Sequence, residues 1–230
     1  MKKNIVVLTG AGISAESGIK TFRDADGLWE GHDVMEVASP QGFMKNPELV
    51  LDFYNQRRRQ LSMVAPNKAH QELVLLEQNF DVSVITQNVD DLHERAGSTH
   101  VVHLHGELLK VRSTFGGNPI TWTKDLFLGD YCENGHQLRP HIVWFGEDVP
   151  MMANAIEITS RADVLMIIGT SMQVYPAASL INYVASGIPI YFIDPRPSIE
   201  SNPKLNLMVI SQNATTGVPI AVADLVGKEL

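Results

Sequence analysis

Apolar positions along the chain follow two patterns. Residues 4–9, 82–86, 101–104, 164–169 and 188–193 are apolar almost throughout, as strands covered on both faces require; 207–211 is a shorter sixth run. Between these runs apolar residues recur at three- and four-residue spacing over 49–61, 70–78, 153–160, 177–185 and 220–230, which predicts amphipathic helices. Pro66, Pro140, Pro150, Pro176 and Pro189 punctuate the boundaries. Alternating strand and helix predict an α/β protein with a doubly wound, mostly parallel, Rossmann-like sheet. Two stretches break the alternation. Residues 27–67 read as a helical insertion; residues 107–140 are poor in regular pattern and rich in Gly, Asn, Thr and aromatics. Together they are expected to form a small lobe (27–67 and 107–140) against a large one (1–26, 68–106 and 141–230), within one domain spanning 1–230.

The first apolar run leads into Thr9-Gly10-Ala11-Gly12-Ile13-Ser14-Ala15-Glu16-Ser17-Gly18-Ile19. Gly10, Gly12 and Ala15 fit the G-x-G-x-x-G/A dinucleotide fingerprint, in which small residues let a phosphate approach the backbone and a helix N-terminus faces the anion. Glycines also serve tight strand–helix turns for steric reasons alone. Gly18 comes too soon for a long first helix, because glycine weakens helix interiors and favours termination. No second strand ending in a ribose-gripping acid follows within about twenty residues. Residues 20–29 instead form a polar, glycine-broken stretch, and the next strand is 82–86. The turn therefore opens into a long insertion, with a loop expected over the cofactor.

Composition narrows the class. A chain of 230 residues, 44% hydrophobic and 19% charged, is long enough for one good core. A net charge of -8 argues against a general nucleic-acid binder, which needs a basic surface. The single cysteine excludes an internal disulfide framework and suits a reducing compartment. Met1-Lys2-Lys3 before apolar residues imitates a signal peptide, but the run is short and enters the glycine turn directly. No segment reaches the roughly eighteen apolar residues a membrane span needs. A cytoplasmic protein without membrane or specific nucleic-acid partners is expected.

Candidate chemistry gathers after two successive strands: Gln87-Asn88-Val89-Asp90-Asp91-Leu92-His93 follows one, and His103-Leu104-His105-Gly106-Glu107 ends the next. Asn88 and Asp90 could be turn and cap residues, and His103 and His105 structural hydrogen-bond partners. With the glycine turn at the same sheet edge, where ligands of open α/β sheets bind, a catalytic cleft is the better reading.

These blocks, together with Thr-Phe-Arg-Asp at residues 21–24, Val143-Trp144-Phe145-Gly146-Glu147 and Gly169-Thr170-Ser171, resemble the sirtuins, the NAD-dependent protein-lysine deacylases. The six blocks occur in family order and span nearly the whole chain. The resemblance implies that an acyl-lysine carbonyl oxygen attacks C1′ of the nicotinamide ribose, nicotinamide leaves, and the acyl group ends on ADP-ribose. It makes His105 the general base for a ribose hydroxyl, a task that suits an imidazole near its operating pH. Asn88 would hold the ribose or a water near C1′, and Asp90 would receive the nicotinamide carboxamide. Phe22 would screen the reacting centre from water, and Arg23 would steady the phosphates or the loop. The remaining NAD contacts fall on Gly10, Ala11, Gly12, Ile13, Ser14, Ala15, Gly18, Trp29, Gln87, Val89, Gly169, Thr170, Ser171, Asp194, Pro195, Arg196 and Ala214. Val143, Trp144, Phe145 and Gly146 read as apolar and extended; in the family this region pairs with the substrate backbone as an added strand. A monomer is expected.

Tyr54 and Arg57, three residues apart in one predicted helix, share a face. Read from residues alone they are a solvated basic face with a packed tyrosine. They also resemble the family branch whose Tyr-x-x-Arg pair binds the carboxylate of succinyl- or malonyl-lysine, with Arg supplying two parallel hydrogen bonds. That branch also tends to keep activity on acetyl-lysine. Most sirtuins hold a structural zinc through two C-x-x-C pairs. Here Ser113 and Gly116 stand at the first pair, and Cys132 and Gly135 at the second. Cys132 and His136 supply at most two ligands, so no zinc is expected. Other readings of the same fold are a non-catalytic NAD-sensing or partner-binding module and a protein ADP-ribosyltransferase. The retained Asn88, Asp90 and His105 argue against the first, and Tyr54 and Arg57 against the second. A conventional dehydrogenase lacks its second-strand acid.

Overall fold

The computed structural model describes residues 2–20, 28–29 and 31–228. Six strands form one parallel sheet: β1 (Asn4–Thr9), β4 (Asp81–Thr86), β5 (Val101–His103), β9 (Val164–Ile168), β10 (Ile190–Ile193) and β11 (Leu207–Ile210). Their spatial order is β5-β4-β1-β9-β10-β11, the doubly wound order that reverses between β1 and β9. Alternate residues of each strand enter opposite layers. Ile5, Val7, Val84, Met166 and Ile193 pack toward α4 (Lys68–Leu76) and α7 (Ala214–Gly227). Val6, Leu8, Ile85, Ile167 and Phe192 pack on the other face, toward α6 (Met152–Ser160) and the short 3-10 helix Ala177–Tyr183.

The periodic reading of 177–185 as an α-helix is corrected by that 3-10 geometry. Helix α7 begins six residues before the predicted 220, carrying Pro219 inside it. The fingerprint turn leads into no α-helix: two 3-10 turns, Ala11–Ile13 and Ala15–Ser17, end at Gly18 with φ +99°. That left-handed backbone is why glycine sits there.

A second body stands over the C-terminal ends of β1 and β4. It contains α1 (Val34–Val37), α2 (Pro40–Lys45), α3 (Pro47–Leu61) and a three-stranded sheet in the order β7-β6-β8. β6 (Gly106–Ser113) pairs antiparallel with β7 (Ile120–Thr121) and β8 (Leu138–Ile142), so 107–140 is more regular than its sequence pattern predicts. Pro140 is tolerated because β8 is an edge strand. A hairpin, β2 (Leu28–Trp29) with β3 (His32–Asp33), completes this part. The short α5 (Leu92–Ala96) follows β4, where periodicity predicts no helix.

Helix α3 starts with Asn46 capping the Leu49 N–H at 3.1 Å and Pro47 in its first turn. Two buried polar residues pin it to the small sheet. Arg58 donates to the Leu108 carbonyl and to Asn55 Oδ1; Asn55 exchanges hydrogen bonds with the backbone of Leu126. This fixes the rotation of α3 and hence where Tyr54 and Arg57 face.

Candidate active site

The sheet's reversal point opens a cleft of about 810 Å³ between the parallel sheet and α3 with the small sheet. Three loops from the C-terminal strand ends form its floor. The glycine turn after β1 packs directly on the turn after β9. Gly10 N donates to the Ile168 carbonyl at 3.0 Å and Gly12 N to the Gly169 carbonyl at 2.9 Å. A Cβ on Gly12 would lie 2.6 Å from Gly169 Cα, so this glycine is required by the meeting of two backbones. The amides of Gly10, Gly12, Ile13 and Ser14 are all engaged within the protein. Ala11 and Ala15 line the cleft, whereas Ile13, Ser14 and Gly18 do not. Ile13 is core, and Gly18 ends the turn while its carbonyl accepts from Gln60 Nε2.

Ser14 is a buried hub. Its hydroxyl donates to Asp90 Oδ2 at 3.0 Å and accepts from Asn88 Nδ2 at 3.2 Å, tying the first loop to the second. Asp90 Oδ1 also accepts the Leu92 N–H at 3.2 Å. Burial pushes the Asp90 carboxyl above its ordinary range, against the pull of these hydrogen bonds and of His103. Gln87, Asn88, Val89 and Asp90 all border the cleft, and Gln87 Nε2 reaches Thr170 Oγ1 at 3.1 Å.

His103 and His105 point two residues apart at two successive carbonyls. His105 Nδ1 lies 3.0 Å from the Gln87 carbonyl. That oxygen can only accept, so Nδ1 carries the proton and Nε2 keeps its lone pair. Burial holds the His105 imidazole below its ordinary pKa, with the Gln87 bond opposing. His105 borders the cleft as a neutral base. His103 meets acceptors on both sides, the Asn88 carbonyl at 3.0 Å and Glu94 Oε1 at 2.7 Å. Burial opposes its charge, but Glu94, the Asn88 carbonyl and Glu107 together outweigh it and raise its pKa. One histidine thus braces the second loop with both ring nitrogens engaged, and the other is an open base. Glu94, on unpredicted α5, gave no signal in the sequence.

The opposite wall carries Tyr54 and Arg57 together with Val143, Trp144, Phe145 and Gly146. β8 ends at Ile142 and residues 144–147 turn, with Gly146 at φ +89°. The N–H groups of Val143, Trp144 and Phe145 go to His105 O, Glu147 Oε2 and Ala38 O. Arg57 Nη1 donates to the Phe53 carbonyl at 2.9 Å, with its guanidinium 4.0 Å from the Phe53 ring centroid. Trp29 lines the same wall.

The far end of the cleft is bordered by Gly169, Thr170, Ser171, Asp194, Pro195, Arg196 and Ala214. Asp194 Oδ1 takes the Arg196 N–H at 2.8 Å. Glu16 reaches across to α7, accepting from Thr215 N at 2.9 Å and Thr215 Oγ1 at 2.7 Å. Gln173, Val174, Tyr175 and Pro176 also border the cleft; their loop has no periodic signature. Phe22 and Arg23 lie outside the described residues.

This arrangement decides the family. A model of the Sir2 family matches residues 10–176. The chain belongs to the Sir2 family. An NAD-dependent protein deacylase of Helicobacter pylori (strain ATCC 700392 / 26695) is 61% identical over 213 residues, 92% of this chain and 93% of the relative. One of Bacteroides thetaiotaomicron is 52% identical over 223 residues, 94% and 95% of the two chains. A solved Sir2 homologue in complex with NAD superposes with a TM-score of 0.85 at 40% identity, covering 99% of this chain and 91% of that one. In this Sir2 chain the four positions expected for zinc ligands supply one thiol. Gly116 and Gly135 have no side chain, and Ser113 Oγ sits 3.5 Å from Cys132 Sγ. This donor set does not fit a tetrahedral zinc. Among the described residues, no three His, Cys, Asp or Glu side chains group as a metal site.

Proposed function

We propose that this Sir2-family protein is an NAD-dependent protein-lysine deacylase. It transfers the acyl group of a modified lysine to ADP-ribose and releases nicotinamide and free lysine. The observation that carries the reading is His105. It is a neutral imidazole whose Nδ1 proton is fixed by the Gln87 carbonyl, leaving Nε2 as a base in a cleft shared with Asn88, Asp90 and the glycine turn. NAD supplies the sugar that accepts the acyl group and the leaving nicotinamide. The switch-point loops, with Thr170, Ser171, Asp194 and Arg196, offer the hydroxyl, carboxylate and guanidinium chemistry a dinucleotide needs.

His105 takes a proton at Nε2 from a ribose hydroxyl. Asn88 and Asp90, locked to each other through Ser14, orient the ribose and the nicotinamide carboxamide. The acyl-lysine enters beside Trp144 and Phe145, and Tyr54 with Arg57 receives the far end of the acyl group. Both acetyl and dicarboxylic acyl groups are accepted, the latter through their carboxylate. The 1–26, 68–106 and 141–230 lobe holds NAD, and the 27–67 and 107–140 lobe closes the acyl side. The protein works as a cytoplasmic monomer without zinc and without nucleic-acid partners. Among the described residues no helix is long and apolar enough to cross a membrane.

The test is stoichiometry. NAD with an acylated lysine peptide should release one nicotinamide per lysine freed, and NAD alone should be stable. Binding of NAD with no turnover on acetyl, malonyl or succinyl versions of one peptide would refute the reading.

A further inference from the structure

Trp144 joins the acyl wall to an ion-pair network. Its indole Nε1–H donates to Tyr54 Oη at 2.9 Å, and the two side chains are 2% and 0% exposed. The Arg139 guanidinium lies 3.4 Å from the Trp144 ring centroid, and the Phe43 ring is 5.3 Å away. Arg139 is gripped by Glu147 through Nη1 to Oε1 at 2.7 Å and Nη2 to Oε2 at 3.2 Å, and Arg112 shares that carboxylate at 3.1 Å. The same Glu147 Oε2 accepts the Trp144 backbone N–H at 2.8 Å. One carboxylate therefore fixes both the backbone of Trp144 and the cation stacked on its ring.

The chemistry of this contact is directional. An indole N–H can only donate; a phenol has one hydrogen to give and lone pairs to receive. With Trp144 on its acceptor side, Tyr54 must aim its own hydrogen elsewhere. Tyr54 borders the cleft, one turn of α3 from Arg57. Burial pushes the phenol far above its ordinary range, so it keeps that hydrogen at every physiological pH. We propose that Trp144 is a specificity-determining positioning residue: its indole turns Tyr54 into a directed donor for an acyl group that ends in a carboxylate, and Glu147 with Arg139 holds the indole in place. This rests on the reading of Tyr54 and Arg57 as the acyl-end pair. Acetyl-lysine has no distal carboxylate and is indifferent to the device.

Trp144→Phe tests it, since a phenyl ring keeps a face for Arg139 while the N–H is lost with the pyrrole ring. Activities are compared on succinyl and acetyl versions of one peptide, with Arg57→Met in parallel. For W144F the succinyl-to-acetyl ratio of kcat/KM should fall about tenfold, the scale of weakening one hydrogen bond to a charged group, and mainly through KM. Because Trp144 also flanks the acyl-lysine entrance, the ratio and not either activity alone is read, and a thermal midpoint near that of wild type reports a folded protein. Tyr54→Phe should shift the ratio in the same direction, and the W144F/Y54F double variant should add little, because the two act through one contact. A selective R57M with a W144F ratio like wild type, or with additive W144F and Y54F effects, overturns the inference and leaves the acyl-end pair standing. Equal losses for R57M on both substrates overturn the acyl-end reading itself.

Discussion

At the scale of single residues, two histidines two positions apart have opposite tasks because their second nitrogens meet different neighbours. Glu94 faces His103 and raises its pKa; His105 turns its second nitrogen to the cleft. A base whose pKa is lowered stays neutral further into acid. The acid limb of the pH profile of kcat/KM should therefore fall below the ordinary imidazole value of about 6.5. A limb at or above that value would show that His105 is not the titrating base. The types and spacing of these residues were legible in the sequence. Which nitrogen is open was not, because it depends on carbonyls and a carboxylate brought in by other elements.

At the scale of elements, the expectation that broke most usefully concerns residues 107–140. Their sequence has little alternation, yet β6 and β8 pair antiparallel with a register shift between Gly106 and Val111. The irregularity breaks the alternation along β6, and β7 is too short to show a period. The segment that would carry the zinc ligands is held by local contacts: Phe115 stacks on His136 at 4.5 Å, and Cys132 and His136 bridge by backbone. Buried Leu126, Val111 and Leu138 pack beneath it with Leu51 of α3. Purified protein should contain well under one zinc per chain. Its thermal midpoint should be unchanged by a strong chelator, since a structural zinc contributes folding energy outright and its removal would lower that midpoint. The glycine turn teaches a related lesson: Gly12 is required by contact with Gly169, a neighbour over 150 residues distant that no local motif names.

At the scale of the whole molecule, the sheet and its helices enclose a pair of histidines that no reaction step uses. His70 and His93 are fully buried with their rings 4.9 Å apart, and Thr9 Oγ1 lies 3.1 Å from His93 Nε2. Burial lowers His70 to about 4 and holds His93 well below its ordinary value. Below about pH 6.5 the unfolded chain takes up protons that the folded chain refuses, so stability falls as pH drops toward 4. Each group contributes a slope of up to about 1.4 kcal/mol per pH unit. Urea unfolding across this range should show the decline, and His70→Gln should flatten it. His103 has the opposite sign: its contribution is fully present below about 6.5 and is lost as pH rises through its raised pKa. An unchanged slope in H70Q would mean that His70 titrates normally in the fold.

Local pattern was enough for six strands, for helices α3, α4 and α6, and for the glycine turn, because apolar periodicity and backbone restriction act over a few residues. The site blocks were visible as residue types for the same reason. The union of the described blocks in one cleft, the Ser14 hub and the Trp144–Tyr54 contact arise from residues far apart in sequence. Their geometry follows from a strand order that reverses between β1 and β9, and from helix α3 being rotated into place by buried Arg58 and Asn55. Long-range packing makes such choices, since each depends on which surfaces meet once the chain has closed on itself.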